Sequence, residues 1–149
     1  LRQAVEEALA TRPVLGICLG LQALYSSSEE YKDAKGFGFL QGEVRRFHTG
    51  HEENGRPLKV PHMGWNNVRQ TSSHALWRGI ADDSRFYFVH SYYAWSTKSV
   101  EIVGTTAYGL PFTSAAARSN VFAVQFHPEK SHHQGLILLQ NFVHWKGSA

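Results

Sequence analysis

Val14-Leu15-Gly16-Ile17-Cys18-Leu19-Gly20 is the stretch from which the fold is read. Its first four residues, apolar or small and stopped by a cysteine between glycines, predict a short strand buried on both faces. Arg12-Pro13 closes whatever precedes it, because the residue before proline is pushed out of the α region. Upstream, Leu1, Val5, Ala8 and Leu9 fall at helical spacing around Glu6-Glu7, which predicts a helix over residues 1–11. Downstream, Leu19, Ala23 and Leu24 start a second helical pattern. Helix, buried strand, sharp turn, helix is the element order of an α/β fold.

Beyond residue 36 the pattern changes to strands. Residues 43–47, 58–61, 65–69, 85–89, 101–107 and 112–118 read as strands, and Ser119-Asn120 as a hairpin turn into a strand at 121–126. Residues 131–145 read as a final helix. Ser131 is placed to cap it, with Leu136, Leu139, Phe142 and Val143 as its buried stripe. The expected architecture is an α/β core with an added run of strands.

Composition narrows the function. At 149 residues with 42% hydrophobic and 18% charged, the chain suits one domain with a core and is no disordered tail. The net charge of +3 is spread thinly, and the longest basic cluster is Arg45-Arg46, so no nucleic-acid partner is expected. No apolar run approaches the roughly 18 residues of a membrane span. The single cysteine excludes a disulfide framework and fits a reducing, cytoplasmic setting. Nine histidines raise the question of a metal. Only one thiol is present, no H-x-x-x-H or H-E-x-x-H helix pattern occurs, and His132-His133 opens a helix. Neither a metal nor any other cofactor is expected.

The chemistry-bearing residues form one constellation. Gly16-Ile17-Cys18-Leu19-Gly20 is a glycine-flanked nucleophile at a strand-to-helix elbow, a turn that lifts a side chain above the end of a sheet. Glycines two residues to either side are expected to let backbone approach closely. The following helix N-terminus is expected to lower the thiol pKa. A cysteine nucleophile needs a base and a group to hold that base. Phe126-His127-Pro128-Glu129 supplies both. Pro128 keeps His127 extended, so residues 127 and 129 face one side and the carboxylate reaches one imidazole nitrogen.

The elbow continued through Leu21-Gln22, together with Val124-Gln125-Phe126-His127-Pro128-Glu129, resembles the class I, triad-type glutamine amidotransferases. Pro61-His62-Met63-Gly64-Trp65-Asn66, Val89-His90-Ser91-Tyr92 and Pro128-Glu129-Lys130-Ser131 look like the glutaminase subunits of imidazole glycerol phosphate synthase. The resemblance covers nearly the whole chain. It implies a flavodoxin-like three-layer amidotransferase core with a mixed sheet and an added antiparallel strand region. It implies a Cys18, His127, Glu129 triad that hydrolyses glutamine to glutamate and ammonia. It implies that Leu19 offers an oxyanion N–H, that Gln22, His90, Ser91 and Tyr92 hold the glutamine main-chain groups, and that Met63, Trp65, Tyr87 and Lys130 lie toward a partner. That partner would be a (β/α)₈-barrel cyclase that takes the ammonia, in a heterodimer, as a step of histidine biosynthesis.

The family's second oxyanion donor comes from a glycine-rich loop upstream of this first helix, and none is found before Leu1. The expectation is one amidotransferase domain over 1–149 lacking an N-terminal β-α-β portion, and a poor glutaminase by itself. Glutaminase subunits of anthranilate, GMP or CTP synthesis share the triad. A silent interaction module of the same fold and a cysteine peptidase on a similar elbow also stay open.

Overall fold

The fold grows from two adjacent strands. In the computed structural model, which describes residues 1–148, β1 (Val14–Ile17) lies parallel to β10 (Val121–Val124), with Val14 opposite Val121 and Ile17 opposite Val124. β10 is buried on both faces, as a continuous apolar run requires, whereas β1 is only half-buried, with Gly16 its one fully buried residue. Val14, Val121 and Ala123 join a core with Leu9, Leu21 and Leu24. Leu15, Ile17, Phe122 and Val124 join another with Leu138, Trp77 and Phe86. Helices α1 (Arg2–Thr11) and α2 (Leu19–Ala23) pack on the first side and α3 (His132–His144) on the second. That is the expected three-layer α/β arrangement.

The remaining strands are β2 (Gly42–Arg46), β3 (Glu52–Glu53), β4 (Arg56–Pro57), β5 (His62–Gln70), β6 (Ser84–His90), β7 (Tyr92–Ser96), β8 (Ile102–Ala107) and β9 (Pro111–Arg118). They are joined antiparallel. One path of the main sheet runs β1-β10-β9-β8-β5-β6, and β7 leaves β9 to pair with β2. The tight β9–β10 hairpin at Ser119-Asn120 stands where it was expected, with Arg118 opposite Val121. Among the described residues no helix is long and apolar enough to cross a membrane.

Three local expectations need correction. Residues 58–61 form no strand. Pro61 has no N–H to give a ladder, and the strand begins after it at His62. Ser131 sits at the N-cap of α3 without a side-chain cap bond, because its hydroxyl is used elsewhere. The buried face of α3 is also rotated. Leu136 is 64% and Val143 76% exposed, while Gly135 and Leu138 are buried. A Cβ on Gly135 would lie 1.8 Å from the Pro128 carbonyl oxygen, so the helix meets the preceding turn at that glycine. That contact turns the 135–138 face inward.

Candidate active site

Cys18 follows the last residue of β1, and its N–H donates to Val124 O at 2.8 Å, carrying the β1–β10 ladder one residue further. Its backbone then turns sharply, with φ 51° and ψ −103°. A side chain in the left-handed half of φ space is strained, and such strain persists only where neighbours over-determine it. Gly16 is one reason the turn fits: a Cβ there would stand 2.9 Å from Ala123 Cβ and 3.1 Å from the Gly20 backbone. Gly20 itself faces open space, so only the first of the two flanking glycines is required by close approach.

The half-buried sulfur has defined partners. Gln125 Nε2 donates to Cys18 Sγ at 3.6 Å. Burial pushes the thiol pKa up, the Leu19 N–H and the Gln125 amide oppose this by hydrogen bonding, and the carboxylates of Glu129 and Glu30 add to the rise. The expected lowering by the helix N-terminus is therefore overturned. Helix α2 is only five residues long, and desolvation of the charged form outweighs its N–H groups. Burial thus favours the thiol over the thiolate.

His127 lies two residues beyond Gln125, past the end of β10 and at the same end of the sheet as Cys18. Its Nδ1 and Glu129 Oε1 are 2.6 Å apart. A carboxylate only accepts, so Nδ1 carries a proton toward Glu129 and Nε2 is the nitrogen left to face the site. The segment is pinned from three directions. His127 N–H donates to Tyr87 O at 2.9 Å. The Ser131 hydroxyl donates to His127 O at 2.6 Å and accepts from Tyr87 N–H at 3.0 Å. Gly135 lets α3 press on the turn Pro128–Lys130.

Gln22, one turn beyond the cysteine, is buried. Its Nε2 donates to Tyr92 O at 2.9 Å and to Gln125 Oε1 at 3.0 Å. The His90 ring is buried among Phe47, Phe88 and Phe112. Its Nδ1 is 2.7 Å from Tyr92 O and its Nε2 2.8 Å from His62 Nδ1. Burial drives the His90 pKa down to about 3 and that of His62 to about 4. Both nitrogens of His90 are thus engaged inside the protein. Ser91 joins β6 to β7 and accepts from Phe47 N–H. A cavity of about 200 Å³ flanks α2, lined by Leu19, Gln22, Ala23, Tyr25, Tyr31 and neighbouring loop residues.

Met63 is 62% and Trp65 37% exposed at the start of β5. Trp65 stacks on His132 with ring centroids 5.0 Å apart and meets Tyr87 edge-on at 6.0 Å. Lys130 is exposed beside Glu129. Tyr87 adjoins His127 through its backbone, Trp65 meets Tyr87, Lys130 lies in the turn that follows the histidine, and Met63 stands two residues before Trp65 on β5. Among the described residues no group of three or more His, Cys, Asp or Glu side chains is placed to hold a metal ion.

Reading the sequence missed Gln125, Ser131 and Glu30 as neighbours of this site. Gln125 lies just past the apolar strand β10 and meets Cys18 across 107 positions, so no local spacing signals it.

Comparison with known proteins places the chain in a family. The model of the class-I glutamine amidotransferase family matches residues 1–145. The imidazole glycerol phosphate synthase subunit HisH of Nitrosospira multiformis is 55% identical over 98% of this chain and 69% of its own length. That of Thiobacillus denitrificans is 53% identical over 97% of the chain and 64% of its own length. The chain thus spans about two thirds of these relatives. Among solved structures, a glutamine amidotransferase from Thermotoga maritima superposes with a TM-score of 0.62 at 22% identity, over 95% of this chain and 52% of that one. The glutaminase domain of Trypanosoma brucei CTPS, with bound acivicin, gives 0.60 at 15% identity, over 98% and 67%. These two show the fold. With a family match over nearly its whole length and relatives more than half identical to it, the chain belongs to the class-I glutamine amidotransferases, among the glutaminase subunits of imidazole glycerol phosphate synthase.

Proposed function

We propose that Cys18, His127 and Glu129 are the nucleophile, the proton carrier and its orienter in hydrolysis of the glutamine side-chain amide. The observation that carries this is the elbow. The strained Cys18 and the His127–Glu129 pair sit at one end of adjacent parallel strands. Because burial favours the thiol, His127 Nε2 takes the thiol proton as Sγ attacks the amide carbon. The tetrahedral oxyanion is stabilised in part by the Leu19 N–H. His127 then delivers the proton to the leaving nitrogen, the C–N bond breaks and ammonia departs. Water attacks the thioester, giving its proton to His127. The C–S bond breaks, glutamate leaves and the sulfur recovers its proton. Glu129 stabilises the imidazolium at both stages.

The cavity beside α2 takes the main-chain end of glutamine. Leu19 and Gln22 line it, Tyr92 O and His90 support the Gln22 amide through hydrogen bonds with Ser91 between them in the chain, and Glu30 is the anion assigned to the α-ammonium. The ammonia goes to a (β/α)₈-barrel cyclase subunit in a heterodimer, docked over Met63, Trp65, Tyr87 and Lys130. Large exposed aromatics are the usual anchors of such contacts. The chain acts in the cytoplasm, where a lone free thiol stays reduced.

The test is glutamine-dependent turnover with the purified cyclase subunit. The native chain releases ammonia that the cyclase consumes, and Cys18→Ala abolishes release. Ammonia release retained by Cys18→Ala excludes the proposed nucleophile.

A further inference from the structure

A primary amide packs equally well in two orientations, but only one places a donor at a given neighbour. The Gln125 amide is fully buried between Cys18 and Gln22, so its neighbours alone decide which end faces the sulfur. The decision runs inward from a backbone carbonyl. Tyr92 O only accepts, so the Gln22 atom 2.9 Å from it is the NH₂ group. The second hydrogen of that NH₂ points to Gln125 at 3.0 Å, which needs an oxygen there. Gln125 therefore turns its own NH₂ toward Cys18. Tyr92 O is held in turn by His90 Nδ1–H at 2.7 Å, and His90 Nε2 by His62 Nδ1–H at 2.8 Å. His62 Nε2 accepts from Asn66 Nδ2 at 3.2 Å. The Asn66 amide is fixed independently, donating to Ala107 O and accepting from Asn67 N–H. Donation thus runs from Asn66 through His62 and His90 and ends at Tyr92 O, which accepts from Gln22 on its other side and so is held in place as the fixed acceptor that orients the Gln22 amide.

We propose that the Gln125 side-chain amide is the donor that stabilises the Cys18 thiolate as it forms and is released, and that Gln22 is the positioning residue that fixes its direction. This rests on Cys18 being the nucleophile. Flipped, Gln125 would set its carbonyl oxygen against the sulfur lone pairs and oppose the negative charge. The sulfur already faces two carboxylates, Glu129 and Glu30, and partial burial. Its opposing donors are the Leu19 N–H and Gln125. Removing one of two donors in such a setting leaves a large effect to read.

The measurement is the pH profile of iodoacetamide alkylation of the full chain, whose single cysteine makes total thiol loss report Cys18 alone. Gln125→Met slows alkylation at neutral pH about tenfold by moving the midpoint to higher pH, because only the thiolate reacts. Gln125→Glu, which keeps the volume and still accepts from Gln22, slows it further by adding a third carboxylate. Gln22→Met, whose defect passes through Gln125, slows it about threefold, and Gln22→Met with Gln125→Met is no slower than Gln125→Met alone. An unchanged profile in Gln125→Met, or in Gln125→Glu should the methionine variant not fold, overturns the donor assignment. An unchanged profile in Gln22→Met, or additive effects in the double variant, overturns the positioning role. Alkylation needs no glutamine turnover. A chain showing these shifts but releasing no ammonia refutes the hydrolase reading and upholds the donor.

Discussion

At the scale of single residues, the site is built by placing a side chain where the backbone resists it. Cys18 holds φ at 51°, a cost that glycine would not incur. Cys18→Gly should therefore be more stable than Cys18→Ala by about 1 kcal/mol, the reverse of the order at ordinary helical or strand positions. Urea unfolding of the two variants measures it, and equal midpoints would remove strain from the account of the elbow. Glu129 has two effects of opposite sign. Its carboxylate steadies the His127 ring at 2.6 Å, yet its charge raises the thiol pKa of Cys18. Glu129→Gln should lower glutaminase turnover by roughly 10²-fold or more, since His127 loses the anion that orients it and supports its charged form. The same substitution should speed alkylation of Cys18 at neutral pH, since the thiolate loses a repelling neighbour. A plain loss of local structure predicts no such divergence. Parallel movement of both readouts would reduce Glu129 to a packing residue.

At the scale of elements, three contacts between consecutive segments set the geometry: β1 into α2, β10 into the Pro128–Lys130 turn, and that turn into α3. Gly135 controls the last. A methyl group there meets the Pro128 carbonyl oxygen at 1.8 Å, so Gly135→Ala forces α3 and the turn apart. The expected cost is about 1–3 kcal/mol of stability, with a loss of turnover larger than that stability loss explains, because the displaced turn carries His127. Chemical denaturation and a glutaminase assay on the same variant separate the two effects. A stable, fully active Gly135→Ala would mean that the turn is positioned by Tyr87 and Ser131 alone. The same contacts explain what could be read from sequence. β1 and its elbow were legible because both signals, an apolar run and the glycine-flanked cysteine, are local. His127 and Glu129 were legible as a pair two residues apart, but the expected extended backbone is not what joins them: only His127 is extended, and Glu129 reaches its ring from the 3₁₀ turn Pro128–Lys130. Strand β7 was not: Tyr92 and Tyr93 follow β6 after Ser91 alone, with no glycine or proline to mark the turn. The face of α3 was misjudged because Leu136, Leu138, Leu139 and Val143 offer several apolar stripes. The choice among them is made by a glycine's contact with another segment.

At the scale of the molecule, the interior carries polar groups that hold their roles only while uncharged. His62 lies under Tyr108 with ring centroids 3.9 Å apart, and His90 lies 5.3 Å from both Phe47 and Phe112. Each donates one N–H and accepts at the other nitrogen. A proton added to His90 Nε2 would face the N–H of His62 Nδ1, donor against donor, at 2.8 Å. Folding therefore lowers both pKa values, to about 4 for His62 and about 3 for His90, and burial lowers that of His74 as well. The unfolded chain takes up these protons near pH 6.5 while the folded chain does not. Protons are then bound more tightly by the unfolded state, so stability is intact above about pH 6.5 and declines as pH falls toward 4. Each such histidine contributes up to about 1.4 kcal/mol per pH unit in that window. Most carboxylates titrate below pH 5, so the interval from 6.5 to 5 isolates the imidazoles. The expected outcome is a melting temperature that falls steadily over this interval in the native chain. His62→Phe, which keeps the aromatic stack and removes one titrating ring, should start less stable at pH 7 and lose less on acidification. If the two proteins lose the same number of degrees between pH 6.5 and 5, His62 does not remain neutral in the fold. The directional hydrogen bonding from Asn66 to Tyr92 would then lack its first link.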